Sequence, residues 1–438
     1  MSRSRRRLPR QLELRVESTE KDGAGIAWFK RNNLPPRKVR VKGVPAPTRL
    51  AVDVISRRKG EWYALPSEQF SDISRNISCP HFFRCGGCSL QHLSTEQQLE
   101  LKQQGVLDAL AEQGVTAGNI SSPVSGPRYL YRRKARLGVR FVPGKGGIVI
   151  GFRESFNGRV ALLENCQVLA QPFQNMIPLL RKTLNQLSVR ERIPQLELVA
   201  GDKAAALVIR HLDPFSSADL ELLSRCSSQL KLTVYTQDAG ADSIQPLNTE
   251  VELGYRLTRE GLYLKFHPAD FVQVNASVNE LLVDAAMSLL NIEREDRLLD
   301  LFCGLGNFSL PAARRGCRVT GIEVSTEMVH RAHQNAVLNG LSGRIRFFAE
   351  DLYSQPLTCL GEYNKVLLDP PRSGAGECLE HLESSPIERV VYVSCYPRSF
   401  ASDAAALSNR GFQLSQVGIF DMFPHTTHVE TLGLFERR

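Results

Sequence analysis

Ser394-Cys395-Tyr396-Pro397 sets one cysteine directly after the apolar run Val390-Val391-Tyr392-Val393, where a buried strand would end. In open α/β sheets the carboxyl ends of the strands line the active crevice, so this thiol is placed for chemistry and not for packing. The chemistry it suits is addition to a pyrimidine. C5 of that ring is too poor a nucleophile alone, but a thiolate adding at C6 generates an enolate whose C5 can take a methyl group from a sulfonium. The C5 proton must then be removed so that the thiolate can leave. Candidates for the base lie in Asp421-Met422-Phe423-Pro424-His425-Thr426-Thr427-His428-Val429-Glu430. Asp369-Pro370-Pro371-Arg372 ends another apolar run and should reach the same crevice.

A second group of residues suits a cofactor. Asp300-Leu301-Phe302-Cys303-Gly304-Leu305-Gly306-Asn307-Phe308 spans the change from an apolar strand to a helix. Glycines there let backbone amides approach a ligand, and the helix N-terminus adds a favourable dipole. Glu323 ends the next strand, 23 residues after Asp300, where it can accept hydrogen bonds from both ribose hydroxyls. Gly-x-Gly alone would also fit a nicotinamide dinucleotide, but no third glycine completes that pattern. The whole stretch with Glu323 behind it looks like an S-adenosylmethionine site.

Cys79-Pro80-His81-Phe82-Phe83-Arg84-Cys85-Gly86-Gly87-Cys88 spaces three thiols as C-x5-C-x2-C, and Cys166 is the best fourth ligand. Four thiolates suit an iron–sulfur cluster or tetrahedral zinc, and spacing does not separate the two. His425 and His428 are expected to serve as hydrogen-bonding residues and not as metal ligands.

These residues need a scaffold. Residues 11–70 read as short alternating strands between Gly/Pro turns, a small OB-type barrel with Arg40 and Lys42 on its outer face. Thr95–Gln113 has a helical stripe of Leu99, Val106, Leu107, Leu110 and Ala111. Residues 128–260 read mainly as strands with helices near 174–187 and 217–230. Within them Arg128–Arg136 interleaves aromatic and basic side chains, as an RNA-contacting strand would. From 263 onward apolar strands alternate with helices, which implies a doubly wound, mostly parallel sheet. Ser325 should cap the helix carrying Met328, Ala332 and Ala336.

Composition narrows the class. The chain has 438 residues, 42% hydrophobic and 23% charged, as folded proteins do. No stretch is apolar enough for a membrane helix, and the basic N-terminus lacks the apolar core of a secretory signal. A soluble cytoplasmic protein is expected, and its ten cysteines should serve metal or catalysis instead of disulfides. Residues 1–70 hold 17 Lys and Arg against 7 Asp and Glu, leaving the rest of the chain near neutral. Concentrated positive charge favours a phosphate backbone.

Asp-Pro-Pro-Arg, Ser-Cys-x-Pro and Asp-x-Phe-Pro-x-Thr-x-His-x-Glu, in this order, resemble the RNA uracil-C5 methyltransferase family, and residues 11–70 resemble its TRAM RNA-binding barrel. The resemblance implies a class I methyltransferase fold with Cys395 as nucleophile and Glu430 as the base. It assigns Gln273, Phe302, Asn307, Glu323, Asp351 and Asp369 to the S-adenosylmethionine pocket. Asp351 stands where relatives often carry Asn, and Tyr396 where they usually carry Asn beside the nucleophile. The branch with this cysteine spacing holds a [4Fe-4S] cluster, here implying Cys79, Cys85, Cys88 and Cys166 as ligands. That branch methylates a specific uracil of 23S rRNA to 5-methyluridine, with the base flipped from its stack. The implied layout is a basic flexible N-terminus over 1–10, the barrel over 11–70, a central α+β cluster domain over 71–94 and 126–262, and the methyltransferase domain over 95–125 and 263–438, with a monomer expected. The alternatives are another rRNA site or tRNA as substrate, a catalytically silent RNA-binding assembly factor, and a DNA cytosine-C5 methyltransferase, whose usual Pro-Cys order is missing here.

Overall fold

Apolar side chains at every second position turn the first described residues into a barrel. The computed structural model describes residues 11–31, 34–67, 77–354, 360–382 and 386–437, so the expected basic tail over 1–10 lies outside the described residues. Strands β1 (Gln11–Thr19), β2 (Gly25–Arg31), β3 (Leu34–Val41), β4 (Thr48–Arg58) and β5 (Glu61–Pro66) close in the order β1-β2-β3-β5-β4. Leu14, Val16, Val39, Val41, Val52 and Ala64 fill the interior, and each fully buried Val or Leu contributes about 1.5–3 kcal/mol.

The outer face is less free than the sequence suggested. Arg40 is paired with Glu20 and Asp22. Lys42 corrects the expectation outright. It is only 5% exposed, and its ammonium donates to the Cys85 carbonyl and the Ser155 hydroxyl over the Phe82 ring. Alternation sends Lys42 outward from the barrel, but the cysteine loop covers that face.

Helix α1 (Thr95–Glu112) follows, started by a capping box in which Ser94 and Gln97 exchange bonds at 3.2 and 3.0 Å. Its buried residues are Gln98, Lys102, Val106, Ala109 and Leu110, whereas Ala111 is exposed. The two-residue strand β6 (Asn119–Ile120) comes next.

A six-stranded sheet holds the centre, built from β7 (Lys134–Val142), β8 (Gly147–Gly151), β9 (Gln195–Ala200), β10 (Ala205–Arg210), β11 (Thr233–Gln237) and β12 (Gln245–Pro246). Helices α2 (Met176–Gln186) and α3 (Ser217–Leu230) bury Leu180, Leu184 and Leu223 in the same core as its strands. The run Arg128–Arg136 is not one strand, a second correction. β7 begins only at Lys134, Leu130 has φ +57°, and Tyr131 and Arg133 are buried.

Hairpin β13 (Leu253–Leu257) and β14 (Leu262–Phe266) leads to helix α4 (Ala276–Leu290). The last sheet gathers β15 (Arg297–Leu301), β16 (Arg318–Glu323), β17 (Ile345–Ala349), β18 (Lys365–Leu368), β19 (Arg389–Ser394), β20 (Phe412–Phe420) and β21 (Glu430–Arg437). Helices α5 (Ser309–Arg314), α6 (Thr326–Leu338) and α7 (Pro397–Ser408) connect them, with α1 packed on α7. The order is β17-β16-β15-β18-β19-β21-β20-β6. β15 to β19 are parallel, and β21 runs antiparallel to both β19 and β20. The order reverses between β15 and β18, which opens a crevice at their carboxyl ends.

Candidate active site

Three strand ends meet at that crevice. Asp369 follows β18, Cys395 follows β19, and Glu430 begins β21. Ser394 pairs with Thr431 across the antiparallel ladder, and one further step in that register sets Cys395 opposite Glu430. Directly opposed residues have Cβ atoms about 4.5–5.5 Å apart.

Electrostatics agree with that proximity. Burial pushes the Cys395 thiol up, the Glu430 charge adds to the rise, and Arg372 opposes it through its charge and a hydrogen bond. Glu430 is 3% exposed, and burial holds its carboxyl well above the usual range, with Asp369 adding and Arg372 opposing. Burial also pushes Asp369, although part of its surface remains accessible, and the fully buried Asp300 each up to about 7. A carboxyl held high is a stronger base once ionised. Arg372 is the one cation among the named causes acting on Cys395 and Glu430, and its Nη2 lies 3.2 Å from His428 Nδ1.

The segment that delivers Glu430 is tied down from outside the sheet. The Lys102 ammonium meets the Asp421 carboxylate at 2.5 Å and donates to the Phe423 carbonyl at 3.1 Å. Gln98 Oε1 accepts from the His425 amide at 2.9 Å, and the His425 carbonyl accepts from the Ser89 and Leu90 amides at 2.8 and 2.9 Å. The loop after Cys88 and helix α1 therefore both grip the segment before Glu430. Sequence reading missed Gln98 and Lys102 because polar residues on a buried face leave no apolar stripe. Burial lowers His425 to about 4 and lowers His428 too; the bonds just given hold His425 by its backbone, its ring Nε2 being buried without a partner, whereas His428 Nδ1 accepts from Arg372.

The candidate cofactor residues surround the β15 turn. Phe302, Gly304 and Gly306 have φ of +64°, +55° and +89°, a left-handed path that carries the turn around. Glu323 accepts from the Gly304 amide at 3.2 Å and the Ser325 amide at 3.1 Å. Asn307 exchanges two 3.0 Å amide bonds with Asn279 and accepts from the Tyr255 hydroxyl at 2.9 Å. Gln273 is buried nearby on the segment before α4. Asp351 accepts from Ser354, which chiefly lowers its pKa, and from the Tyr353 amide. The Tyr353 ring lies 5.7 Å from Phe302 and its hydroxyl donates to the Gly374 carbonyl at 2.7 Å, bridging this pocket to the loop carrying Arg372. A Cβ on Gly304 would reach Met328 at 3.2 Å, and Asp300 Oδ1 is buried without a partner. An amide-lined cradle with buried carboxylates fits a cationic nucleoside.

Cys79, Cys85, Cys88 and Cys166 line one cavity of about 20 Å³, all as free thiols, with the Gly87 amide 3.3 Å from Cys85 Sγ. Among the described residues no three donors close tightly enough to hold a single metal ion. A larger cleft of about 700 Å³ runs between Lys42 and Arg58 of the barrel, the Gly86–Ser89 loop, and Arg372 with His428. Cys395 does not line it, but Arg372, which bonds to the Cys395 thiol, does. Tyr396 stands 40% exposed beside Cys395. No helix among the described residues is long and apolar enough to cross a membrane.

Known proteins resemble this chain in sequence and fold. The tRNA (Uracil-5-)-methyltransferase family profile matches residues 96–438. The 23S rRNA (uracil(1939)-C(5))-methyltransferase RlmD of Alkalilimnicola ehrlichii is 41% identical, over 100% of this chain and 99% of its own. That of Hahella chejuensis is 39% identical over 100% of both. The crystal structure of Pyrococcus abyssi tRNA (uracil-54, C5)-methyltransferase with S-adenosyl-L-homocysteine superposes with a TM-score of 0.70 at 20% identity, covering 97% of this chain and 100% of that one.

Proposed function

This chain belongs to the tRNA (Uracil-5-)-methyltransferase family, and from that premise we propose that it methylates C5 of one uracil in 23S rRNA, at position 1939 as in the relatives named above. The cofactor, S-adenosylmethionine, supplies an electrophilic methyl on a sulfonium. Cys395 adds to C6 of the flipped uracil and its thiolate is released again at the end. Glu430 takes the C5 proton after transfer. Arg372 offsets the negative charge that Glu430 and Asp369 place around the thiol. The observation that carries this reading is the meeting of Asp369, Cys395 and Glu430 at the neighbouring ends of β18, β19 and β21, beside the switch point of the sheet.

Gln273, Phe302, Asn307, Glu323, Asp351 and Asp369 would hold the cofactor, its cationic centre favoured by the buried carboxylates. The barrel and the 700 Å³ cleft would take the RNA backbone. The flipped base must be compensated for a few kcal/mol of lost stacking, and exposed Tyr396 stands ready to stack beside it. The domain bounds expected from the sequence would divide this labour among the barrel, the central domain and the methyltransferase domain. Cys79, Cys85, Cys88 and Cys166 would hold a [4Fe-4S] cluster. The four thiols line one cavity, and the C-x5-C-x2-C spacing with a distant fourth cysteine supports the cluster over zinc by the resemblance that the sequence carries. Visible iron–sulfur absorption with stoichiometric iron, lost in Cys88→Ser, is expected; zinc alone on elemental analysis contradicts it.

The test of function is incubation of the purified protein with labelled S-adenosylmethionine and 23S rRNA lacking the modification. Label at C5 of a single uracil is expected. Label only in DNA, or none with rRNA, overturns the reading.

A further inference from the structure

The segment Tyr129–Lys134 joins the two halves of the active site. At one end, the Tyr131 hydroxyl donates to the Pro424 carbonyl at 3.1 Å and the Tyr129 ring lies 4.9 Å from that of His425, both on the segment leading to Glu430. At the other end, Arg133 grips the segment carrying Gln273. Its amide donates to the Val274 carbonyl at 2.9 Å and its Nε to the Gln273 carbonyl at 2.7 Å. Its guanidinium lies 4.4 Å from the Tyr255 ring, whose hydroxyl holds Asn307. Lys134 adds bonds to the carbonyls of Pro268, at 2.8 Å, and Asp270.

Arg133 is 5% exposed and both its terminal nitrogens are buried without a partner. A guanidinium so buried, with two of its nitrogens unpaired, opposes stability. Its presence is better explained by what its Nε and its face hold in place. We propose that Arg133 and Tyr131 are positioning residues, Arg133 setting the S-adenosylmethionine pocket through Gln273 and Asn307, and Tyr131 setting the segment that delivers Glu430. One short strap of the central sheet thereby fixes the spacing between methyl donor and base. The inference rests on the function proposed above.

Three variants test it, with S-adenosylmethionine affinity read by equilibrium dialysis and RNA affinity by filter binding. Dialysis needs no methyl transfer, so failure of the strap and failure of the proposed reaction are seen separately. Arg133→Met should weaken S-adenosylmethionine roughly tenfold to hundredfold, the worth of one charge-assisted hydrogen bond, with RNA affinity unchanged. Arg133→Lys should restore part of that loss, because an ammonium can still reach the Gln273 carbonyl. It also serves as the test if the Met variant does not fold. Tyr131→Phe should leave cofactor affinity unchanged and raise the steady-state fraction of enzyme held covalently on RNA. Loss of RNA affinity with cofactor binding intact would make the strap an RNA contact and overturn the proposal. So would a change confined to thermal stability.

Discussion

Replacing Lys102 by Met asks directly whether helix α1 holds the segment that delivers Glu430. The ammonium and the Asp421 carboxylate stand 2.5 Å apart with side chains 0% and 3% exposed. Burial lowers the Lys102 pKa against the attraction of Asp421, so the pair carries a desolvation cost. Removing one partner of such a pair costs about 3–5 kcal/mol, because the remaining charge is left uncompensated in the interior. Asp421 regains water only if residues 421–429 lift from α1. The opening equilibrium should therefore rise about a hundredfold or more. Amide hydrogen exchange over this segment reads the opening, and turnover should fall with it, since Glu430 is the next residue. The double variant Lys102→Met/Asp421→Asn removes both charges and should recover most of the loss. Exchange within about twofold of the parent, with unchanged turnover, refutes the reasoning.

Two further outcomes follow from the pocket. Asp300 and Asp369 titrate near 7, and a sulfonium favours their charged forms, so binding S-adenosylmethionine at pH 7 should release protons. S-adenosylhomocysteine, neutral at sulfur, should release fewer; calorimetry in buffers of different ionisation heat measures this, and equal release contradicts it. Gly306→Ala puts a Cβ into the left-handed region at φ +89° and 2.2 Å from Leu310 Cδ1. Strain of about 1–3 kcal/mol should appear as weakened cofactor binding, and dialysis at the parent's affinity would show the turn to be more tolerant than its geometry implies.

Much of the scaffold was legible because its signals are local. The strand Arg297–Leu301, the glycine turn after it and the Ser325 cap each sit in a few consecutive residues. Strand β20 was missed because a register shift between Leu414 and Gln416 breaks its alternation, and β6 because two residues carry no period. Lys42 and Arg133 were misread for one reason: a charged residue's burial depends on what another segment brings against it. The same holds at the site. Motifs single out Cys395 and Glu430, but the high pKa of Glu430 comes from burial and from Asp369, with Arg372 opposing, none of them adjacent in sequence. Gln98 and Lys102 have no motif at all. They matter because the segment before Glu430 folds back onto α1.

Covalent capture on RNA bearing 5-fluorouracil at the target position reaches the core of this account, because fluorine at C5 cannot be abstracted as a proton and elimination stalls. With S-adenosylmethionine present, a denaturation-resistant protein–RNA adduct should form, and mass mapping should put the nucleotide on the peptide containing Cys395, with no adduct in Cys395→Ser. An adduct on any other residue, or none under conditions where ordinary RNA is methylated, would contradict it.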